Sequence, residues 1–344
     1  MTKLKVLSLF SGIGAFEKAL SNIGVNYELY GFCEIDKYAV NSYCAVHQVD
    51  PSLNLGDITK IDVASLPTDI ELITHGSPCQ DYSVAGVQRG GDKGSNTRSS
   101  LMWYSVEIIK HCKPKYVIWE NVKNVLSVKH VHNFEQYVKD LKDLGYTSYY
   151  KVLNAKDFGV PQNRERIYCI SILGEHEKFV WPKPIPTRPI EEYIDEELFL
   201  DEFKLSQHYI DRAKSKSLTQ GKFLENTMKL SNGEVQEFRI ANYRYDEGYR
   251  VAKDNICPCL VARGSKRISG APIINNHGQL RYIMPVECWR LMGFTDDDFY
   301  RAENVSTSET QLYKQAGNSI VVNVLEEIFK NLFGIRKEQV HKLF

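Results

Sequence analysis

The segment Gly76-Ser77-Pro78-Cys79-Gln80-Asp81-Tyr82-Ser83 places one cysteine behind a proline, after the run Ile70–His75 and ahead of a glycine-rich stretch. A thiolate at such a point can attack an electron-poor carbon and split one hard substitution into two easier steps. Most cysteines are merely buried, so Cys79 gains meaning from its company. The run Tyr116–Val122 is apolar and closes on the carboxylate Glu120. Such a Glu is usually a helix cap or a salt-bridge partner. Beside a nucleophile, an acid completes the minimum kit for addition to a heteroaromatic ring.

Both groups need a scaffold that brings strand ends together. Ile70–His75 reads as a short buried strand, so Cys79 would emerge at the carboxyl edge of a sheet, where open α/β folds build their sites. Gly86, Gly90, Gly91 and Gly94, with Arg89, Lys93 and Arg98, form a loop able to move and to meet phosphates. At the amino terminus Lys3–Phe10 reads as a strand, and Ser11-Gly12-Ile13-Gly14 as a tight turn opening a helix. A second strand, Tyr30–Cys33, ends at Glu34, about 20 residues past the turn, the spacing at which a carboxylate can hold ribose hydroxyls. Gly56-Asp57-Ile58-Thr59 offers another acid. Glu17 stands where a dinucleotide fingerprint has its third glycine, which argues for an adenosine ligand other than NAD.

Six motifs stand in the order found in the C5-cytosine DNA methyltransferases: Phe10–Gly14, Pro78-Cys79-Gln80, Glu120-Asn121-Val122, Gln162–Arg166, Arg290–Phe294 and Gln315–Ser319. The chain resembles that family over residues 1 to about 174 and about 280 to 332. The resemblance implies that Cys79 attacks C6 of cytosine while Glu120 binds N3 and the 4-amino group, with Arg164 and Arg166 reaching toward O2. It implies S-adenosylmethionine as cofactor, with Phe10 near the adenine, Gly12 and Gly14 near the amino-acid portion, Glu34 on the ribose and Asp57 facing the adenine amino group. Ile35, Pro78, Leu101, Asn318 and Ser319 are lesser cofactor candidates. Gln80, Ser83 and Arg98 are candidates for DNA contact around the turned-out base. Two departures stand out: Tyr82 replaces a common Phe, and Cys259 of Cys257-Pro258-Cys259-Leu260 replaces a threonine associated with a phosphate beside the flipped base.

The implied fold is a doubly wound, mostly parallel α/β sheet of the S-adenosylmethionine-dependent methyltransferase type, bearing an inserted small target-recognition domain. Residues 1–184 and 279–344 would form the catalytic domain and 185–278 the insert, with the proline-rich stretch Trp181–Pro189 as a stiff connector. Formal net charge is zero, so DNA binding must come from a local face. Residues 203–267 carry thirteen Lys and Arg against seven Asp and Glu, a net of +6. Within them Arg239, Arg244, Arg250, Arg263, Lys266 and Arg267 are the candidate DNA contacts.

Eight scattered cysteines and no signal-like start point to a cytoplasmic protein with reduced thiols. Cys257 and Cys259 lack a second pair at zinc spacing, so no metal is expected. No apolar run approaches a membrane span. The reading is a monomeric DNA (cytosine-5)-methyltransferase of bacterial or phage type, acting on double-stranded DNA, with a cognate restriction endonuclease as a candidate partner. A non-catalytic relative would have lost Cys79 or Glu120. An exocyclic-amine methyltransferase would carry an Asp/Asn-Pro-Pro-aromatic motif, which is absent. The remaining alternative is a transfer-RNA methyltransferase on the same motifs, whose Cys-Phe-Thr signature is missing from the variable region.

Overall fold

The computed structural model describes residues 3–79, 81–82, 90–95, 97–195, 201–208, 210–211, 222–224, 227–229, 235–244, 248–262, 272–276, 279–306 and 308–335. The chain divides into two compact units. The first comprises residues 1–154, 165–183 and 324–344, the second residues 155–164 and 184–323.

In the first unit a six-stranded sheet has the order β2-β1-β3-β4-β7-β5. Its strands are β1 (Leu4–Leu9), β2 (Tyr27–Cys33), β3 (Leu72–His75), β4 (Tyr116–Val122), β5 (Tyr146–Asn154) and β7 (Glu165–Leu173). β1 pairs in parallel with β2 and β3, and β3 with β4. β7 alone runs against its neighbours, antiparallel to both β4 and β5. The central strands are largely apolar because both faces are covered, as parallel sheets require. Val6, Leu7, Leu72, Ile73, Val117 and Ile118 are fully buried. Helices α1 (Ala15–Asn22), α2 (Lys37–His47), α3 (Met102–Cys112) and α4 (Val131–Asp143) follow the strands, as the doubly wound reading expects.

The second unit is assembled from small sheets and helices. β6 (Gln162–Asn163) pairs in parallel with β13 (Cys257–Pro258). β8 (Lys222–Leu224), β9 (Thr227–Lys229) and β10 (Val235–Glu237) form one antiparallel sheet. β11 (Ile240–Arg244), β12 (Gly248–Val251), β14 (Ile273–Asn276) and β15 (Gln279–Tyr282) form another, in the order β12-β11-β14-β15. Three helices follow: α5 (Pro285–Arg290), α6 (Asp296–Val305) and α7 (Glu309–Asn318). The last helix, α8 (Val322–Leu332), returns the chain to the first unit from residue 324 on, with Val324, Leu325, Ile328 and Phe329 buried.

Candidate active site

β4 spans Tyr116–Val122 and buries Glu120 near its carboxyl end. In the β3–β4 pair His75 lies opposite Trp119, so the turn carrying Cys79 leaves β3 beside the end of β4 that bears Glu120. Ser77 joins the two. Its Oγ accepts from Trp119 Nε1 at 3.0 Å and from Asn121 Nδ2 at 3.2 Å, and its carbonyl accepts from Asn121 Nδ2 at 3.0 Å. Residues i and i+2 of a strand share a face, so the two neighbours of Glu120 grip Ser77 while Glu120 points to the other side. Cys79 is half-buried and is not part of a disulfide. A second clasp holds the far end of the loop, where Ser99 Oγ donates to the Pro78 carbonyl at 2.9 Å and Asp81 N donates to Ser99 Oγ at 3.2 Å. Ser77, Asn121 and Ser99 carry no chemistry of their own. Their importance lies in partners far away along the chain, which spacing cannot disclose.

Arg166 lies opposite Val122 in the β4–β7 pair, and Glu120 opposite Tyr168. That diagonal lets the long arginine reach back, putting its Nε 3.1 Å from Glu120 Oε1. Arg164 differs from the expectation. It is buried, and its guanidinium donates to the carbonyls of Leu260 at 2.8 Å, Gly317 at 3.0 Å and Ser319 at 2.6 Å. Its Nη1 also points at Cys259 Sγ, 3.4 Å away. Gln162 acts alike, donating to the Leu291 carbonyl at 2.8 Å while its Oε1 accepts from Leu260 N at 3.2 Å. Gln162 and Arg164 therefore tie three stretches of the second unit together, and Arg166 is the arginine of the motif that stands beside Glu120.

The cofactor candidates of the first unit gather past β1, β2 and β3. Phe10 has φ 54°, a strained value for a bulky side chain. Gly12 has φ +57°, and a Cβ there would meet nothing within 4 Å, so the turn faces open space. Ser11 beside it is buried, and its hydroxyl has no hydrogen-bond partner among the described residues. Glu34 Oε2 accepts from Gly12 N at 3.0 Å, and its Oε1 accepts from Ile35 N and Asp36 N, both at 2.8 Å. Burial nevertheless raises its pKa above the usual carboxylate value. Ile35 exposes 73% of its surface beside this carboxylate. An open glycine turn, an unsatisfied hydroxyl, an acid and an apolar ledge together fit an adenosine ligand with a polar tail. Asp57 Oδ1 accepts from Thr59 N at 3.0 Å and from Thr59 Oγ1 at 2.9 Å, bonds that lower its pKa. Leu101 packs against the main core.

Gly14 has an explanation within the protein. A Cβ there would overlap the His47 imidazole, whose Nε2 lies 3.0 Å from the Ile13 carbonyl. Gly91 likewise leaves room for the buried Tyr82 hydroxyl, so the tyrosine in place of phenylalanine has its own niche. Asn318 and Ser319 belong to the second unit, where Asn318 is exposed and Ser319 buried. Arg98 is exposed on the short turn Arg98–Leu101. Arg239 Nε lies 3.4 Å from Glu191 Oε1, so part of its charge is already neutralised. Arg244 and Arg250 lie on β11 and β12. Gln80, Ser83, Arg263, Lys266 and Arg267 lie outside the described residues. No cluster of metal-ligating side chains and no membrane-crossing helix occurs among the described residues.

A family model described as C-5 cytosine-specific DNA methylase matches residues 4–334. The orphan methyltransferase M.SPRI of Bacillus phage SPR is 34% identical, aligning 96% of this chain with 98% of its own. The type II methyltransferase M.HhaI of Haemophilus parahaemolyticus is 32% identical over 96% of this chain and 95% of its own. The crystal structure of S. pombe Dnmt2 methyltransferase superimposes with a TM-score of 0.68 at 20% identity, covering 96% of this chain and 99% of its own, a likeness of fold.

Proposed function

We propose that this chain, which belongs to the C-5 cytosine-specific DNA methylase family, methylates a cytosine turned out of duplex DNA through a covalent bond from Cys79. The family's chemistry is transfer of a methyl group to C5 of cytosine, and the chain is an enzyme of the DNA (cytosine-5)-methyltransferase type. One observation supports the finer reading most: Ser77 fastens the Cys79 turn to both neighbours of Glu120.

Cytosine C6 is a poor electrophile, and a stacked base hides it from a thiolate, so the base must leave the helix at a cost of a few kcal/mol. Cys79 as thiolate adds to C6. Glu120 engages the N3 edge and supports the charge that builds on the ring, while Arg166 holds the carboxylate from behind. Addition leaves C5 electron-rich. S-adenosylmethionine, when bound, supplies the methyl electrophile that C5 takes, and Glu34, Asp57, Phe10 and the Gly12 turn are the groups suited to hold it. Loss of the C5 proton to a base, water or a side chain, and expulsion of Cys79 from C6 restore the ring and the thiolate. Residues 185–278 choose the target sequence, with their basic excess meeting the phosphates. The working form is a monomer on double-stranded DNA in the cytoplasm.

A duplex carrying 5-fluorocytosine at the target cannot lose a C5 proton, so the wild-type protein with S-adenosylmethionine should form a denaturation-resistant adduct and Cys79→Ser none. An undiminished adduct with the serine variant overturns the assignment of Cys79. Bisulfite sequencing of DNA from cells expressing the protein should show methylation in one sequence context. Methylated transfer RNA with unmodified DNA would overturn the substrate.

A further inference from the structure

We infer that Asn54 is a positioning residue for the cofactor pocket, setting Glu34 and the Asp57 turn relative to each other; this rests on reading Glu34 and Asp57 as cofactor contacts. At the end of β2 the segment around Asn54 runs alongside it, with a parallel bridge to Phe32. Leu55 N donates to the Phe32 carbonyl at 2.7 Å. One residue past the strand, at Glu34, main-chain pairing gives way to a side chain. Asn54 Oδ1 accepts from Glu34 N at 3.1 Å, and its Nδ2 donates to the Glu34 carbonyl at 3.1 Å. The amide thus imitates a neighbouring strand at one position.

The same Oδ1 accepts from Gly56 N at 3.0 Å, one residue before Asp57. Two main-chain donors converging on one terminal atom identify it as the oxygen, so the orientation of the amide follows from its surroundings. One planar group therefore holds the main chain of the first acid on both sides and the turn that leads to the second. Glu34 Oε1 is held by the amides of Ile35 and Asp36 in its own stretch of chain and Oε2 by Gly12 N on the turn after β1, so a shift of the Glu34 backbone moves the carboxylate relative to that turn. A ribose diol needs both oxygens of a carboxylate at defined places, and an error of about an ångström in such a group is costly.

The test uses the full chain and calorimetric titration with S-adenosylmethionine and S-adenosylhomocysteine. Asn54→Ala should bind both at least about tenfold more weakly, as loss of bonds near 1.4 kcal/mol implies. Turnover at saturating cofactor should stay near the wild-type value, a split between affinity and rate that general loosening would not give. Asn54→Asp keeps the acceptor but loses the donor, so it should fall between; should the alanine variant fail to fold, this variant carries the same expectation. A cycle with Glu34→Gln reads the route of the effect: the double variant should lose clearly less affinity than the sum of the two single losses. Unchanged affinity in Asn54→Ala, or losses that simply add in the double variant, would overturn the inference while leaving the function intact. A wild-type protein that binds neither ligand would overturn the function reading itself.

Discussion

The Nε of Arg166 lies 3.1 Å from Oε1 of Glu120, across two strands that run in opposite directions. Because β7 is reversed, its first residues stand level with the last residues of β4, and a cation near the start of β7 meets an acid placed 46 positions earlier. An entering cytosine would share Glu120 with this guanidinium. Glu120→Gln should therefore lower turnover by about 10²- to 10⁴-fold, the usual span for a positioned acid–base group. Cofactor affinity, measured by calorimetry, should barely move. Loss of cofactor binding with turnover preserved at saturation would assign Glu120 to the other site.

Gly317 offers a test with an unusual sign. It lies in α7, where Gly→Ala ordinarily stabilises by up to about 1 kcal/mol. Here a Cβ would collide with the main chain of Val261 and Ala262, which cannot swing aside as a side chain can. Gly317→Ala should instead destabilise by about 1–3 kcal/mol, as other overpacked sites do. Denaturant midpoints of the two proteins decide it, and a more stable alanine variant would contradict the contact.

Glu17 is buried in the first turn of α1, and neither carboxylate oxygen finds a hydrogen-bond partner among the described residues. Burial raises its pKa above 4.5, and the nearby Ser8 and Tyr43 hydroxyls offset this only in part. The folded chain thus keeps this proton at a pH where the unfolded chain has released it. Its contribution is complete below pH 4.5 and is lost as pH rises toward the folded-state value. Glu17→Gln should accordingly gain melting temperature over the wild type as pH climbs from acid to neutral, the two curves meeting at the acid end. Parallel curves would show that Glu17 is ionised in the folded protein.

Exchange of the variable region tests where specificity resides. Arg290 Nη1 lies 3.0 Å from Asp195 Oδ2 and Arg164 Nη1 3.4 Å from Cys259 Sγ, side-chain contacts that a graft reaching either residue would lose. Residues 196–256 from a relative of known specificity should move methylation to the donor's sequence, as read by bisulfite sequencing. A chimera that stays active in the original context would place specificity elsewhere.

Much of the scaffold was legible because buried parallel strands announce themselves as apolar runs. Tyr116–Val122 is β4 at both ends, and Gly14 opens α1 as its pattern suggested. Residues 222–237 were harder, since β8, β9 and β10 are three residues each, too short for any periodicity. At the candidate site, residue type and neighbouring residues single out Cys79 and Glu120 in the sequence, and the Ser77 bonds link the turn of the one to the strand of the other. Arg164 and Arg166 could not be told apart, because both are arginines two positions apart. Only the fold reveals that one faces backbone carbonyls and the other a carboxylate. Asn54 was invisible for the converse reason: an asparagine in a loop is ordinary until its amide is seen paired with a strand end.

The bonds around Gln162 and Arg164 also bear on which positions can drift. Their partners at Leu260, Leu291, Gly317 and Ser319 are main-chain groups, present whatever side chain those positions carry. Variation is thus absorbed unevenly: the two donors are held to their identity, whereas the segments they clasp can exchange side chains subject only to packing. Cys259, standing where the family commonly has threonine, is an instance, for the carbonyl of Leu260 keeps Arg164 in place beside it. A lineage could change the side chains here without first re-engineering the joint that carries them.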